Sequence, residues 1–152
     1  MAWVTPTSGS GWPVSPEKAW NDNEGDWAES DVVVPGNWTP WFTWGHAALD
    51  CDRVRIWSGH GYDWLTDIEV EAYYNGDWQP VYNGGCYEGE FATYSLGGTY
   101  SVTQMRARRY NPEAAESEDI GYFIEADFGT PEAGGAVGSL IESRLVGGML
   151  AR

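Results

Sequence analysis

The sequence predicts an all-β protein, either a sandwich or a barrel, and three observations lead to that class. Thr66–Tyr74 alternates between apolar or aromatic residues and mostly acidic ones, which is the period of a strand with one buried face. Asn75-Gly76 follows and suits the two positive φ angles of a tight hairpin turn. The 20 glycines and 8 prolines occur throughout, whereas helical periodicity is weak before the C-terminal segment. Many short strands joined by turns are typical of sandwiches and barrels.

The other elements follow in chain order. Residues 1–11 are predicted to form an extended N-terminal arm, because Pro6, Gly9 and Gly11 exclude a regular helix. Ser15–Trp20 is compatible with one helical turn. Residues 12–129 are expected to form a single sandwich domain. Its further strands are predicted at Ser30–Val34, Trp41–Trp44, Arg53–Ser58, Trp78–Tyr82, Phe91–Leu96, Tyr100–Tyr110 and Gly121–Phe128.

The charge of the chain excludes two classes of partner. With 23 acidic and 8 basic residues, the formal net charge is −15, which repels nucleic-acid phosphates and anionic membranes. No segment approaches the roughly 18 consecutive apolar residues of a membrane span, so no membrane insertion is expected. The acidity fits a high-salt environment, a preference for Arg codons or cation binding, and the sequence leaves these three open.

The two cysteines, Cys51 and Cys86, both flank predicted strands. A disulfide between them and two free thiols are both compatible with the sequence, since two thiols are weak evidence for an oxidising compartment. No CxxC motif or Cys/His cluster suggests a zinc site.

Two sets of charged residues lie on predicted strands, and they either pair across neighbouring strands or form two separate solvated faces. They are Asp67, Glu69 and Glu71 on one strand and Arg106, Arg108 and Arg109 on another. A separate cluster, Trp38, Trp41 and Trp44, has a spacing of three, which does not alternate on a strand. We expect one or two of these tryptophans to cap the core and another to face a partner, where aromatic residues are enriched.

A glycine-flanked loop, Gly59–Trp64, carries the clearest candidate for ligand binding. His60, Tyr62, Asp63 and Trp64 lie on it, and Tyr87 and Glu88 lie on another loop that can come close. Aromatic platforms with a few fixed polar groups are the usual composition of sugar sites. The alternative is that the aromatic rings pack against the edge of the sandwich, the commoner location of tryptophan.

An acidic loop, Asn21–Asp26, offers oxygen ligands for Ca²⁺ from Asn21, Asp22, Glu24 and Asp26. Ca²⁺ prefers six to eight oxygens on a flexible loop. A solvated turn is the alternative, because Asn and Asp are also common turn residues.

Several segments, in this order, resemble the discoidin family, the galactose-binding-like jelly roll of coagulation-factor C domains and many carbohydrate-binding modules. They are Ala19–Trp27, Trp44–Ser58, Ile68–Tyr82, Met105–Tyr110 and Ile124–Phe128. The resemblance implies a jelly-roll β-sandwich over residues 12–129, with ligands at loop tips. It also implies a structural calcium ion on the acidic loop, with Glu125 as the carboxylate from the last strand. The positions of the cysteines and the C-terminal tail depart from the family pattern.

Residues 130–152 are predicted to be a linker followed by an apolar interaction tail. One helical stripe of the tail would carry Leu140, Ile141, Leu145, Val146, Met149 and Leu150. We expect this stripe to dock on another subunit, because exposed apolar segments mark interaction sites. The start and the tail of the chain are also similar in style to small structural proteins of tailed viruses.

The sequence therefore favours a non-enzymatic virion structural protein, a capsid decoration or tail-associated component. Its partners would be other virion proteins or copies of itself, and it could also contact cell-surface carbohydrate. The N-terminus lacks the basic and apolar regions of a secretion signal, so we expect synthesis in the host cytoplasm and a place in the virion. The alternative is a stand-alone carbohydrate-binding module, located outside the cell. No catalytic motif is visible, so no enzyme activity is expected.

Overall fold

The computed structural model describes residues 2–59 and 65–131, and its elements confirm the all-β prediction. All strand pairs are antiparallel. A short 3-10 helix, Pro16–Ala19, occupies the predicted helical turn. No helix of the described residues is long and apolar enough to cross a membrane. The strands are β1 (Ala2–Val4), β2 (Ser8–Ser10), β3 (Ala28–Val33), β4 (Asn37–Trp38), β5 (Phe42–Ser58), β6 (Asp67–Tyr74), β7 (Asp77–Gly85), β8 (Phe91–Asn111) and β9 (Asp119–Thr130).

The two long strands, β5 and β8, run through both layers of the sandwich. In one layer the start of β5 pairs with the end of β8, and β6 and β7 follow beyond β8. In the other layer Arg53–Trp57 of β5 lies between Phe91–Ser95 of β8 and strand β9. The change of layer coincides with register shifts in the β5–β8 pairing, which is how bulges bend a strand.

Strand boundaries differ from the sequence prediction at this crossing. The predicted separate strands Trp41–Trp44 and Arg53–Ser58 are parts of β5, and Phe91–Leu96 and Tyr100–Tyr110 are parts of β8. Gly97, with φ of 79°, was expected to end a strand, but it lies within one. Glycine is the residue that allows such a bend without steric cost.

The described part of the predicted arm is extended and belongs to the sheet. β1 pairs with the end of β9, and β2 pairs with the start of β5. Trp3 of β1 covers the guanidinium groups of Arg53 and Arg55, at 5.3 and 4.4 Å from its ring centroid.

Strand β6 confirms the alternation read from the sequence. Ile68, Val70 and Ala72 are fully buried. The hairpin turn has φ of 55° at Asn75 and 81° at Gly76, as a two-residue turn with both angles positive requires. The β6 face thus contributes to one core that also contains Phe42, Trp44, Val54, Ile56, Met105, Phe123 and Phe128.

On the outer face of β6 the structure shows the first of the two alternatives, pairing across neighbouring strands. Glu69 lies opposite Arg108 and Glu71 opposite Arg106. Their charged groups are 2.7 and 2.6 Å apart. The prediction is wrong for Arg109, which is fully buried, because side chains alternate along β8 and Arg109 shares the inner face with Met105 and Ala107.

Tryptophan rings cover these two arginines. The guanidinium carbon of Arg106 lies 4.2 Å from the ring centroids of both Trp41 and Trp78. That of Arg108 lies 4.7 Å from Trp38 and 4.4 Å from Trp41. Trp41 is therefore shared by two cation–π contacts, while Trp44 caps the core as expected. We call this stack of Trp38, Trp41, Trp78, Arg106 and Arg108 the Trp–Arg ladder.

Trp41→Ala should lower the free energy of unfolding by about 2 kcal/mol, roughly twice the loss in Trp38→Ala. The reason is that Trp41 contacts two guanidinium groups and Trp38 contacts one. Equilibrium unfolding in urea measures both variants. Equal losses would show that the ladder adds nothing beyond the burial of each ring.

Candidate functional site

Part of the predicted site lies outside the described residues. We call Gly59–Trp64 the aromatic loop, and its residues His60, Tyr62, Asp63 and Trp64 are not described. The same applies to the six apolar residues of the tail, Leu140, Ile141, Leu145, Val146, Met149 and Leu150. The structure does describe both ends of the aromatic loop, the neighbouring loop with Tyr87, and the candidate calcium ligands.

The aromatic loop begins at Gly59, and Leu65 is the first described residue after it. The backbone N–H of Gly59 donates to the carbonyl of Tyr122 in β9, at 3.1 Å. Gly59 has φ of 73°, and a Cβ at this position would lie 2.8 Å from Cγ of Glu88. Glycine is therefore required here both for its backbone angle and for the close approach of Glu88.

The side chain of Arg109 donates hydrogen bonds to residues on both sides of the aromatic loop. Its guanidinium donates to the carbonyl of Leu65 at 2.6 Å, to Oγ of Ser58, and to the carboxylate of Glu88 at 3.1 Å. Its Nε donates to the carbonyl of Asp67 at 3.2 Å. A buried guanidinium needs such partners because its desolvation is costly. Sequence reasoning missed this role, although the inward side chains of Met105 and Ala107 on the same strand indicate it.

Tyr87 lies on the connection between β7 and β8, residues 86–90, which we call the Tyr87 loop. Its side chain is 68% exposed. A bridge between Ser58 and Glu88 and a hydrogen bond from the Gly89 N–H to the Ser58 carbonyl hold its loop against the end of β5. A cavity of about 280 Å³ opens here, lined by Thr66, Tyr82, Gly85, Cys86 and Tyr87. The structure thus brings the Tyr87 loop next to the base of the aromatic loop.

Both cysteines are free thiols, so the structure contains no disulfide between them. Cys51 is buried in β5, and burial, followed by the charges of Asp52 and Asp50, raises the pKa of its thiol to about 11. Cys86 lies at the cavity next to Tyr87. A thiol with a raised pKa is unreactive, so Cys51 has a structural place in the core.

The acidic loop forms a compact turn. The amide of Asn21 donates to both carboxylate oxygens of Asp26 at 3.2 Å. The side-chain oxygen of Asn21 accepts from the N–H of Asn23 at 3.1 Å, and that of Asn23 accepts from the N–H of Gly25 at 2.9 Å. Asp22 adopts a left-handed φ of 59°. This is the Asx-turn chemistry that the sequence left as an alternative to a metal site.

Glu125 is the unusual group near this loop. It is only 1% exposed, and neither carboxylate oxygen has a side-chain hydrogen-bond partner among the described residues. The backbone N–H groups of Asn23 and Ala126 lie close enough to favour its charged form. Burial raises its pKa to about 7, and the negative charges of Asp127 and Asp22 add to that effect. The described residues contain no group of three or more His, Cys, Asp or Glu side chains placed to hold a metal ion. A cation here would therefore need carbonyl or amide oxygens besides Glu125 and Asp22.

Comparison with known proteins identifies the fold. No protein-family model and no curated protein matches the sequence. The chain is similar to the family 32 carbohydrate-binding module of NanJ from C. perfringens in complex with galactose, with 14% identity, TM-score 0.60, and coverage of 80% of this chain and 90% of that one. It is also similar to the family 32 module of AlyQ in complex with 4,5-unsaturated mannuronic acid, with 11% identity, TM-score 0.63, and coverage of 84% and 98%.

The fold is a discoidin-like jelly roll. A third match, truncated AlyQ with its family 32 module and alginate lyase domains, has 12% identity and TM-score 0.59, and the chain covers 32% of its length. The same fold thus occurs in modules by themselves and in chains that also carry a catalytic domain. These likenesses confirm the predicted fold class and leave the virion hypothesis untested.

Arg109→Met should reduce the free energy of unfolding by about 3 kcal/mol, because the carbonyl of Leu65 and the carboxylate of Glu88 lose their donor. Urea unfolding measures the loss, and Arg108→Met on the outer face is the matched control, with an expected loss of about 1 kcal/mol. Amide hydrogen exchange at Gly59 and Thr66 should also become faster. Unchanged exchange there would contradict the role of Arg109 in holding the loop ends.

Proposed function

We propose that this protein is a non-catalytic carbohydrate-binding module whose ligand contacts the Tyr87 loop and the aromatic loop at the same end of the sandwich. The observation that carries the proposal is the exposed ring of Tyr87 beside the base of a loop rich in aromatic and polar residues. The similarity to modules in complex with galactose and with an unsaturated mannuronic acid supports it.

The chemistry of this end suits a sugar. An exposed aromatic ring stacks on the C–H face of a pyranose, and a few fixed polar groups select its hydroxyls. Tyr87 supplies such a ring, and the Glu88 carboxylate is oriented by Arg109. From the sequence, Trp64, Tyr62, His60 and Asp63 would complete the site. Because both ends of the aromatic loop are anchored, less conformational entropy is lost on binding.

The local charge favours a neutral sugar. Among the described residues, neither Lys nor Arg lines the cavity at Tyr87, and the buried Arg109 is already bonded to Glu88. The chain also carries a formal charge of −15, which repels uronic and sialic acids. We therefore expect a neutral ligand, unlike the anionic sugar bound by the AlyQ module.

Binding to a printed glycan array should identify neutral glycans, with little binding to uronic acid or sialylated ones. Tyr87→Ala and Trp64→Ala should each weaken binding at least about tenfold, because each removes a stacking surface. Val14→Ala, at another exposed apolar residue, is the matched control and should bind like the unmodified protein. Selective binding of anionic glycans would contradict the charge argument.

We further propose that the acidic loop and Glu125 hold a structural Ca²⁺ ion. Two buried carboxylate oxygens without a side-chain hydrogen-bond partner among the described residues fit a hard cation. Asp22 and the backbone of Asn23 lie close enough to shift the pKa of Glu125. Glu125, Asp22 and Asn21 would be ligands, and Asp26, which accepts from Asn21, would orient that ligand or join it. The ion would neutralise the carboxylates of this region.

Calcium in large excess over its Kd should raise the free energy of unfolding by about 3 kcal/mol, measured as a higher melting midpoint in CaCl₂ than in chelator. In chelator, stability should fall as the pH rises from about 4.5 to about 7, because folded Glu125 retains a proton that the unfolded chain has lost. Glu125→Gln should abolish both effects. If calcium raised the melting midpoint of Glu125→Gln as much as that of the unmodified protein, the ion would not be bound at Glu125.

The virion role stays a prediction from the sequence. Its main determinants, the tail residues 139–152, lie outside the described residues. A virion protein on this fold would still use the site proposed above to contact host glycans, so the two roles are compatible.

A further inference from the structure

A second cavity runs along the side of the sandwich. This side groove has a volume of about 390 Å³ and is lined by residues of β7, of the connection between β7 and β8, and of the first part of β8, among them Val81, Tyr82, Tyr87, Glu90, Thr93 and Tyr94. The volume falls within the range of roughly 300–1,000 Å³ of small-molecule sites. Neither motif analysis nor the alternation of the strands indicates this cavity.

Two unpaired strand edges line the side groove. Phe91–Ser95 of β8 pairs with β5 on one side, and β7 pairs only with β6 within the described residues. Each strand therefore has backbone N–H and C=O groups on an edge without a partner strand. Such groups can donate to and accept from ligand hydroxyls.

The aromatic wall of the groove is held in place. The ring of Tyr82 lies 4.8 Å from that of Tyr94. Its hydroxyl donates to the carbonyl of Gly85 at 2.8 Å. A Cβ at Gly84 would lie 2.8 Å from that hydroxyl, so glycine leaves the space in which the ring lies. Tyr82 is thus oriented before any ligand binds.

The side groove continues into the cavity at the aromatic loop. Tyr82 and Tyr87 line both cavities, and Thr66, just after the aromatic loop, lines the smaller one. A ligand seated at the loop end can therefore extend along the same two rings into the groove.

We propose that the side groove is a second sugar subsite, so that the ligand is a neutral oligosaccharide of at least two residues. This inference rests on the proposed function. The terminal sugar contacts the loop end and Tyr87, and the next sugar lies on Tyr82, near the hydroxyl of Thr93 and the free edge of β8. Among the described residues that line the groove, Glu90 is the only charged one, and the groove offers no positive charge to an anionic ligand.

An extended peptide is the competing occupant, because open strand edges also accept an added strand. The edge of β7 is poorly suited to it. Pro80 has no backbone N–H, and the β6–β7 register shifts between Val70 and Glu71, opposite this region. Both features interrupt the regular ladder that an added strand requires.

Titration calorimetry with neutral sugars tests the proposal. The panel contains the monosaccharides galactose, N-acetylgalactosamine, glucose, mannose, fucose and xylose, together with the di- and trisaccharides built from each. In the series that binds, affinity should rise at least about tenfold from mono- to trisaccharide. Thr93→Trp, at an exposed strand position in the groove, should reduce trisaccharide affinity to that of the monosaccharide and leave monosaccharide affinity unchanged. Val32→Trp, at an exposed residue of β3 (54% exposed), is the matched control.

Glu90→Trp at the same groove is a second variant in case Thr93→Trp does not fold. Equal affinities for mono- and trisaccharide, or groove variants that fold and bind like the control, would overturn the second subsite and leave the proposed function intact. No binding to any member of the panel would overturn both. A groove variant that alters the sedimentation of the protein without altering sugar affinity would assign the groove to a protein partner and overturn the subsite.

Discussion

The buried guanidinium of Arg109 is the interaction on which the binding end of this molecule depends. Removing such a charge from water costs several kcal/mol unless every donor finds an acceptor. Its acceptors come from three separate segments, namely the end of β5, the stretch from Leu65 to the first residue of β6, and the Tyr87 loop. The need to satisfy one cation thus fixes the relative positions of these segments. Rigid anchoring of this kind lowers the entropic cost of ligand binding.

The remaining arginines of the described residues also have structural partners. Arg53 pairs with Asp52, Arg55 with Asp127, and Arg106 and Arg108 with Glu71 and Glu69. Three of these four guanidinium groups lie within 4.7 Å of at least one aromatic ring centroid, and the fourth, Arg53, lies 5.3 Å from Trp3. These four arginine side chains therefore stabilise the fold through ion pairs and aromatic contacts. No described arginine remains unpaired to attract an anionic ligand, which is the physical basis of the proposed preference for neutral sugars.

Local chemistry made part of the fold predictable. The β6–β7 hairpin follows from a period of two and one Asn-Gly pair. The two outward faces of opposite charge made the Glu–Arg pairs one of two open alternatives, and the order of the strands in the sheet decides between them. The crossing of β5 and β8 between layers was not predictable, because Gly97-Gly98 has the same composition in a bend as in a turn. Within the site, the side groove is lined by residues between Val81 and Ser95, which are close in sequence. It was not predictable because the alternation of side chains does not show which strand edges stay unpaired. Arg109 was misread because its two arginine neighbours suggested one shared face.

The strand register connects the candidate ion site with the candidate ligand site. Glu125 of β9 lies opposite Trp57 of β5, and Phe123 lies opposite Ser58. Ser58 is held by Arg109 and precedes Gly59, where the aromatic loop begins. An uncompensated carboxylate at Glu125 would weaken this pairing, since a buried charge without a partner is costly. A cation bound there would remove that cost and stabilise the end of β5 from which the ligand loop departs. The proposed ion would therefore stabilise Trp57 and Ser58, the strand residues that lead into the aromatic loop.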